Sequence, residues 1–212
     1  MAGAEPALDA AAIEARLAPV LAAGRVTGAV GPSPDAEQVA HDLRFAAAVA
    51  APATFVDLGS GGGLPALVLL LAWPSTHGVL IEANHRRATA LQEAVDAVGL
   101  ASRAEVRADR VEDVARDPAH RGRHDVVTAR SFGPPAVTAE CAAGLLAAGG
   151  HLLVSEPPSS AGARWPSEGV AQLGLVLEGV HDGIAVLRAL GPPGDRWPRR
   201  PGIPAKRPLF GP

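Results

Sequence analysis

Between Thr54 and Ser155 the chain alternates short apolar runs with longer stretches whose apolar residues recur at helical spacing; the short runs are TFVDL, HGVLIE, RAEVRA, HDVVTA and GGHLLVS. Short, largely apolar runs bounded by turn residues predict strands, and the segments of period near 3.6 between them predict helices. Strands alternating with helices make βαβ units, hence a parallel sheet with helices on both faces. Upstream, residues 8–23 and 35–50 predict two helices separated by TGAVGPSPD, with Asp35 placed to cap the second. Downstream the rhythm stops at the Pro/Ser/Gly segment EPPSSAGARWP, after which LGLVLEGV and GIAVLRAL flank His181, Asp182 and Gly183 and predict an antiparallel hairpin. The last stretch, GPPGDRWPRRPGIPAKRPLFGP, holds too many prolines for a helix or a central strand and predicts an extended arm. The chain thus divides into an N-terminal helical extension over 1–50, an α/β domain over 51–191 and a basic, Pro-rich arm over 192–212.

Composition narrows the class. The chain has 212 residues, 48% of them hydrophobic and 19% charged, enough for one domain with a sizeable core. The single cysteine, Cys141, excludes an intrachain disulfide and any cysteine-based zinc or iron–sulfur site, and it fits a reducing compartment, so a cytoplasmic location is expected. It lies in an Ala-rich helical stretch and reads as a buried small residue. The N-terminus carries Glu5, Asp9 and Glu14 and lacks the basic region and continuous apolar stretch of a signal peptide. The most apolar window, Leu64 to Trp73, is too short to span a bilayer and reads as a buried helix, so a soluble protein is expected. Net charge is −3, but residues 196–212 carry +5 with no acid, which leaves the first 195 residues at −8. Segregated charge of this kind marks an interaction tail. Its arginines and lysine contact phosphates, or they form a solvated arm.

The densest signal is FVDLGSGGGLPA. A strand ends at Asp57 or Leu58, glycines occupy 59 and 61–63, and a helix starts near Gly63 or Leu64 with Pro65 in its first turn. At the carboxyl end of a parallel strand, glycines without β-carbons let a ligand approach the backbone N–H groups. A dinucleotide fingerprint would need glycine at position 64, which is leucine, and the terminal Lys and Ser or Thr of a P-loop are absent. The second strand ends at Glu82, 23 residues beyond Gly59. A carboxylate there accepts hydrogen bonds from vicinal ribose hydroxyls and repels a phosphate, which favours an adenosyl ligand without phosphates.

Four stretches, VDLGSGGGLP, LIEANHRRATALQEAV, DVVTARSF and WPRRPGIPAKRPL, resemble the class I S-adenosylmethionine-dependent methyltransferases and, within them, the RsmG (GidB) family of 16S ribosomal RNA guanine-N7 methyltransferases. The resemblance implies a Rossmann-like fold with a seven-stranded, mostly parallel sheet, and residues 51–191 as the S-adenosylmethionine-binding domain. It places Gly59, Gly61 and Leu64 in the cofactor loop and Asp57 within reach of the methionine amino group. Glu82, Ala83 and Asn84 then meet the ribose, and Val111 and Glu112 lie beside the adenine. Arg130 stands at the mouth shared by cofactor and substrate and is the expected positioning residue. The tail residues Arg199, Arg200, Lys206 and Arg207 become candidates for RNA binding, with ribosomal RNA or a precursor of the small subunit as partner. Two segments depart from the family pattern. AHDLRF stands where the family usually has an Asn-Leu-Thr element and a His before an Asp-Ser pair, and VSEPPSS replaces a usual lysine and glycine, so a basic residue near the site is missing.

Guanine N7 carries a free lone pair, so its methylation requires no proton removal and no general base; orientation and electrostatics suffice. Phe132 stacks on a base or packs under the loop. His120 and His124 read as loop residues without a matching ligand set, so no metal is expected. Two other readings stand beside the rRNA methyltransferase: an enzyme of the same fold acting on another RNA or a small molecule, and a non-catalytic accessory protein that binds the cofactor or RNA.

Overall fold

A computed structural model describes residues 7–157 and 159–211. Glu5, Pro158 of the Pro/Ser/Gly segment and Pro212 of the arm lie outside the described residues. Helix α1 (Ala10–Thr27) starts where Asp9 accepts the Ala12 N–H at 2.9 Å and stops at Gly28, whose φ of 72° is left-handed. Helix α2 (Asp35–Ala48) follows. Asp35 does not cap it: the residue is already helical, and its carboxylate pairs with Arg25, while Pro34 sits at the cap position with no side-chain bond.

The alternation then runs β1 (Thr54–Leu58), α3 (Ala66–Ala72), β2 (His77–Ile81), α4 (His85–Ala97), β3 (Ala104–Arg107), α5 (Val111–Val114), β4 (His124–Ala129), α6 (Pro135–Ala143) and β5 (Leu146–Ser155). After α7 (Ser167–Ala171) the hairpin β6 (Leu175–His181) and β7 (Ile184–Ala189) closes the sheet, and a short α8 (Ile203–Lys206) follows. Asp182 and Gly183 join the hairpin strands with φ of 49° and 79°, the positive pair a tight two-residue turn demands. The first helix of the alternation begins at Ala66, later than Gly63 or Leu64, because the glycines continue as turns.

Among the described residues the sheet has seven strands in the order β3-β2-β1-β4-β5-β7-β6; the first five are parallel, and β7 runs antiparallel to both neighbours. This is the Rossmann-like class I methyltransferase arrangement. Side chains alternate between the faces. Phe55, Leu80, Val126 and Leu153 join one core with α1–α4, and Val56, Ile81, Val127 and Leu152 join another with α5–α7 and Trp197. Strand β1 pairs with both β2 and β4, so the chain order reverses there, and the carboxyl ends of β1 and β4 flank the crevice where ligands of such sheets bind.

Two expectations change. His124 opens β4, where the HDVVTA run begins, and does not belong to the loop with His120; it is buried, its ring stacks on His120 with centroids 5.6 Å apart, and burial with the His120 charge pulls its pKa down to about 4. The tail is not an extended arm but folds back onto the second core. Arg199 grips the fully buried Glu140 through three bonds, from its backbone N–H and Nε at 2.8 Å each and from a terminal nitrogen at 2.6 Å. The Trp197 indole donates to the Gln172 carbonyl at 3.0 Å, and Arg121 reaches the Trp197 and Gly194 carbonyls at 2.7 and 2.8 Å. Proline tolerates α8 because Pro204 sits in its first turn, where a missing N–H leaves no bond unmade.

Removing one partner of a buried ion pair leaves an uncompensated charge. Arg199→Gln is expected to cost about 3 kcal/mol in urea unfolding. The exposed Arg200→Gln is expected to stay within about 0.5 kcal/mol of the parent. Equal small effects for both would mean that the tail is not docked.

Candidate functional site

Glu82 ties the two halves of the site together. It follows β2 directly and is 3% exposed. Its Oε2 accepts the Gly61 N–H at 3.2 Å, and its Oε1 accepts the Asn84 N–H and an Arg87 nitrogen, each at 2.8 Å. Burial works to raise the Glu82 carboxyl, but the bonds from Arg87, Asn84 and Gly61 outweigh it and hold the group below its ordinary value. The glycine loop, Glu82 and Asn84 are therefore one hydrogen-bonded unit. Asn84 also caps α4 through the Arg87 N–H, and Ala83 beside it is exposed.

The glycines do not all bare backbone to a ligand. A β-carbon on Gly59 (φ 67°) would stand 2.8 Å from the Phe132 ring, so this glycine admits an aromatic neighbour. One on Gly62 would meet the Val30 side chain at 2.6 Å and the Ala29 carbonyl at 2.8 Å, which shows how closely the α1–α2 loop covers the turn. Gly61 is different: its φ is 51° and nothing stands within 3.7 Å of the added carbon. Leu64, half-buried, packs against the first core.

Asp57 and Arg130 form a second group, and it includes residues that sequence reasoning missed. Asp57 is buried at the end of β1; the Thr128 hydroxyl donates to its Oδ1 at 2.7 Å, while its Oδ2 has no partner among the described residues. Arg130, just past β4, donates to Asp42 Oδ1 at 2.8 Å and to the Gln38 side-chain oxygen, both from α2. The Oδ2 of Asp42 is also unpartnered among the described residues. Burial raises the Asp42 carboxyl to about 7, against the pull of Arg130, and raises Asp57 to about 7, against the Thr128 and Ser60 bonds. Burial, then the Arg130 and Arg44 charges, hold His41 below its ordinary value; its Nε2 lies 3.0 Å from the Ser155 hydroxyl. His41 and Asp42 lie in the AHDLRF segment and Gln38 one turn before Asp42, but α2 also carries Asp35, Glu37 and Arg44, so nothing in the helix's own pattern singles these three out.

Val111 and Glu112 open α5, and both are buried. Burial pushes the Glu112 carboxyl up, but the Gly202 N–H, its own N–H and Arg110 bring it below its ordinary value. Its Oε1 accepts the Gly202 N–H at 2.8 Å, so the tail is anchored to the segment expected beside an adenine. Of the tail cations, Arg200, Lys206 and Arg207 are exposed, but Arg199, expected among the RNA-binding residues, is occupied by Glu140. Cys141 is buried, and burial raises its thiol far above the ordinary range, so it supplies no nucleophile at neutral pH.

A cleft of about 310 Å³ opens between the ends of β4 and β5, lined by Ala129, Phe132, Ser155, Glu156 and Arg164 among others. The half-buried Phe132 thus sits between the glycine loop and this cleft. The VSEPPSS segment at the end of β5 puts Glu156 on the cleft wall, and the cleft's cation is Arg164.

Residues 38–157 match the GidB family, described as rRNA small subunit methyltransferase G. The chain belongs to the GidB family. The GidB match begins at Gln38, so it takes in the α2 residues that hold Arg130. The chain is 37% identical over 169 residues to ribosomal RNA small subunit methyltransferase G of Rubrobacter xylanophilus, an alignment covering 73% of this chain and 64% of that protein. It is 33% identical to the protein of the same name from Pelotomaculum thermopropionicum, covering 74% of this chain and 70% of the other. The chain therefore spans about two thirds of the length of these GidB relatives. Among solved structures, cofactor-bound Rv0187 from MTB superposes with a TM-score of 0.60 at 20% identity over 84% of this chain and 90% of that one. The O-methyltransferase from Bacillus cereus in complex with SAH gives 0.59 at 14% identity over 82% of this chain and 90% of that one. These two likenesses show the fold.

Because the folded pKa of Asp57 lies above its ordinary 3.8, the folded chain holds more protons than the unfolded chain between about pH 4 and 7, and stability falls as pH rises through that window. The slope approaches about 1.4 kcal/mol per pH unit for each such carboxyl. Asp57→Asn removes one of these groups, so urea unfolding is expected to show a shallower loss of stability between pH 5 and 7 than the parent. Identical pH slopes would mean that Asp57 is ionised throughout.

Proposed function

We propose that the chain is an S-adenosylmethionine-dependent methyltransferase that modifies guanine N7 in 16S ribosomal RNA, in the cytoplasm. The Glu82 network carries this reading, together with the family match. A carboxylate offers about four acceptor positions. Backbone N–H groups of Gly61 and Asn84 take two, and the third partner, Arg87, is a half-exposed side chain that yields to a competing donor. Vicinal ribose hydroxyls fit the places that remain. The unpartnered Oδ2 of Asp57 fits an ammonium group, and a cation there favours the ionised carboxylate. Gly61 keeps the turn open, Leu64 flanks it, and Ala83, Asn84, Val111 and Glu112 shape the nucleoside side.

Bound there, S-adenosylmethionine supplies a methyl group made electrophilic by its sulfonium. The protein's part is alignment. Guanine N7 needs no deprotonation, so neither Asp42 nor Asp57 is required as a base. Arg130, fixed by Asp42 and Gln38 at the end of β4, orients the substrate at the mouth of the crevice. Arg200, Lys206 and Arg207 on the docked tail contact RNA phosphates.

Incubated with tritiated S-adenosylmethionine, the protein is expected to label 16S RNA in small ribosomal subunits from cells that lack this methylation. Subunits left unlabelled by a protein that binds the cofactor would overturn the substrate assignment. Glu82→Gln, which trades an acceptor oxygen for an NH₂ group, is expected to weaken cofactor binding in calorimetry by about tenfold or more, or about 1.4 kcal/mol. Unchanged affinity would remove Glu82 from the site.

A further inference from the structure

We propose that Arg164 is an RNA phosphate contact in the cleft between β4 and β5, held in its working orientation by Glu156; this rests on the reading of the site as one that takes an RNA substrate. Three observations carry it. First, Arg164 is anchored. Its terminal nitrogen donates to Glu156 Oε1 at 3.1 Å, and the Glu156 side chain is fully buried, with its other oxygen taken by the Ser160 hydroxyl. The next residue, Trp165, is buried and its backbone N–H closes a turn onto Gly162 at 3.0 Å, so the guanidinium projects from a fixed segment. Second, the anchor uses one of five guanidinium N–H donors, and none of the other four is matched by an acceptor among the described residues. The side chain is one-third exposed. A planar fork held on one edge and open on the other is suited to a tetrahedral oxyanion.

Third, the surroundings select the ligand. Among the residues lining the cleft, Arg164 is the one cation and Glu156, which it already neutralises, is the one acid. Ser131, exposed with a left-handed φ of 57°, also lines the cleft. The cleft adjoins the glycine loop through Phe132, which places a phosphate on Arg164 next to the nucleotide that faces the crevice. Arg164 lies beyond residues 38–157, the part that the family model matches.

The test uses the full chain and a short fluorescein-labelled single-stranded RNA, with anisotropy read across a KCl series. Arg164→Gln is expected to weaken binding about tenfold at low salt and to make the log–log salt slope shallower by about 0.7, the loss of one phosphate contact. Arg164→Lys, which keeps the charge, is expected to retain the parent slope. Cofactor affinity by calorimetry is expected to be the same in all three proteins. An unchanged slope in the glutamine variant overturns the proposal, as does a loss of cofactor affinity, which would assign Arg164 to the cofactor's carboxylate instead. A parent protein that binds no RNA overturns both this proposal and the substrate reading. A slope difference in a protein that labels no ribosomal subunit upholds Arg164 and sinks only the substrate reading.

Discussion

Asp42 is fully buried against the end of the sheet, and the ion pair that Arg130 makes with it is the constraint on which the site's shape depends. Arg130 directly follows β4 and its partners belong to α2, so the same contact that offsets the buried charge fixes an N-terminal helix over the carboxyl end of the sheet. From that placement follow His41 against Ser155 and the α1–α2 loop against Gly62. The crevice is roofed by residues that the α/β alternation alone would never have brought there. An arginine held at two points also presents a definite face, which a flexible surface cation does not.

The parallel core was legible because its strands are local signals. TFVDL and HDVVTA begin and end where β1 and β4 do, since each is a short buried run between turn residues. Glu82 was legible for a related reason: a polar residue directly after a buried strand has few explanations other than a ligand or an internal bond, and here it has the internal bond as well. Gln38 and Asp42 were not legible. Their partner lies 92 and 88 residues away, and nothing in a helix's own periodicity says which distant strand end it will meet. The glycines were legible as a turn, but not the contacts within the chain that also need them: a β-carbon on Gly59 would meet Phe132, and one on Gly62 would meet Val30 and Ala29.

Charge patterning misled in a similar way. A run of five cations without an acid suggests a free arm, yet the acid that captures Arg199 was present all along in α6, in a helix too apolar to look like half of an ion pair. The segment after β5 shows the converse. VSEPPSS holds no cation, but Arg164, eight residues after Glu156, folds back onto that glutamate and puts one in the cleft. In both places the unit that matters is a pair, and neither partner's immediate neighbours in the chain mark it.

The docked tail has a consequence for how the chain folds. Glu140 and Glu112 lie in α6 and α5, but the groups that bond them, Arg199 and the Gly202 N–H, stand 59 and 90 residues further along the chain. Until that segment docks, the second core lacks Trp197 and the Glu140 carboxylate lacks its Arg199 partner. This face of the sheet therefore closes by long-range contacts, which carry a larger loop-closure cost than the local βα units do.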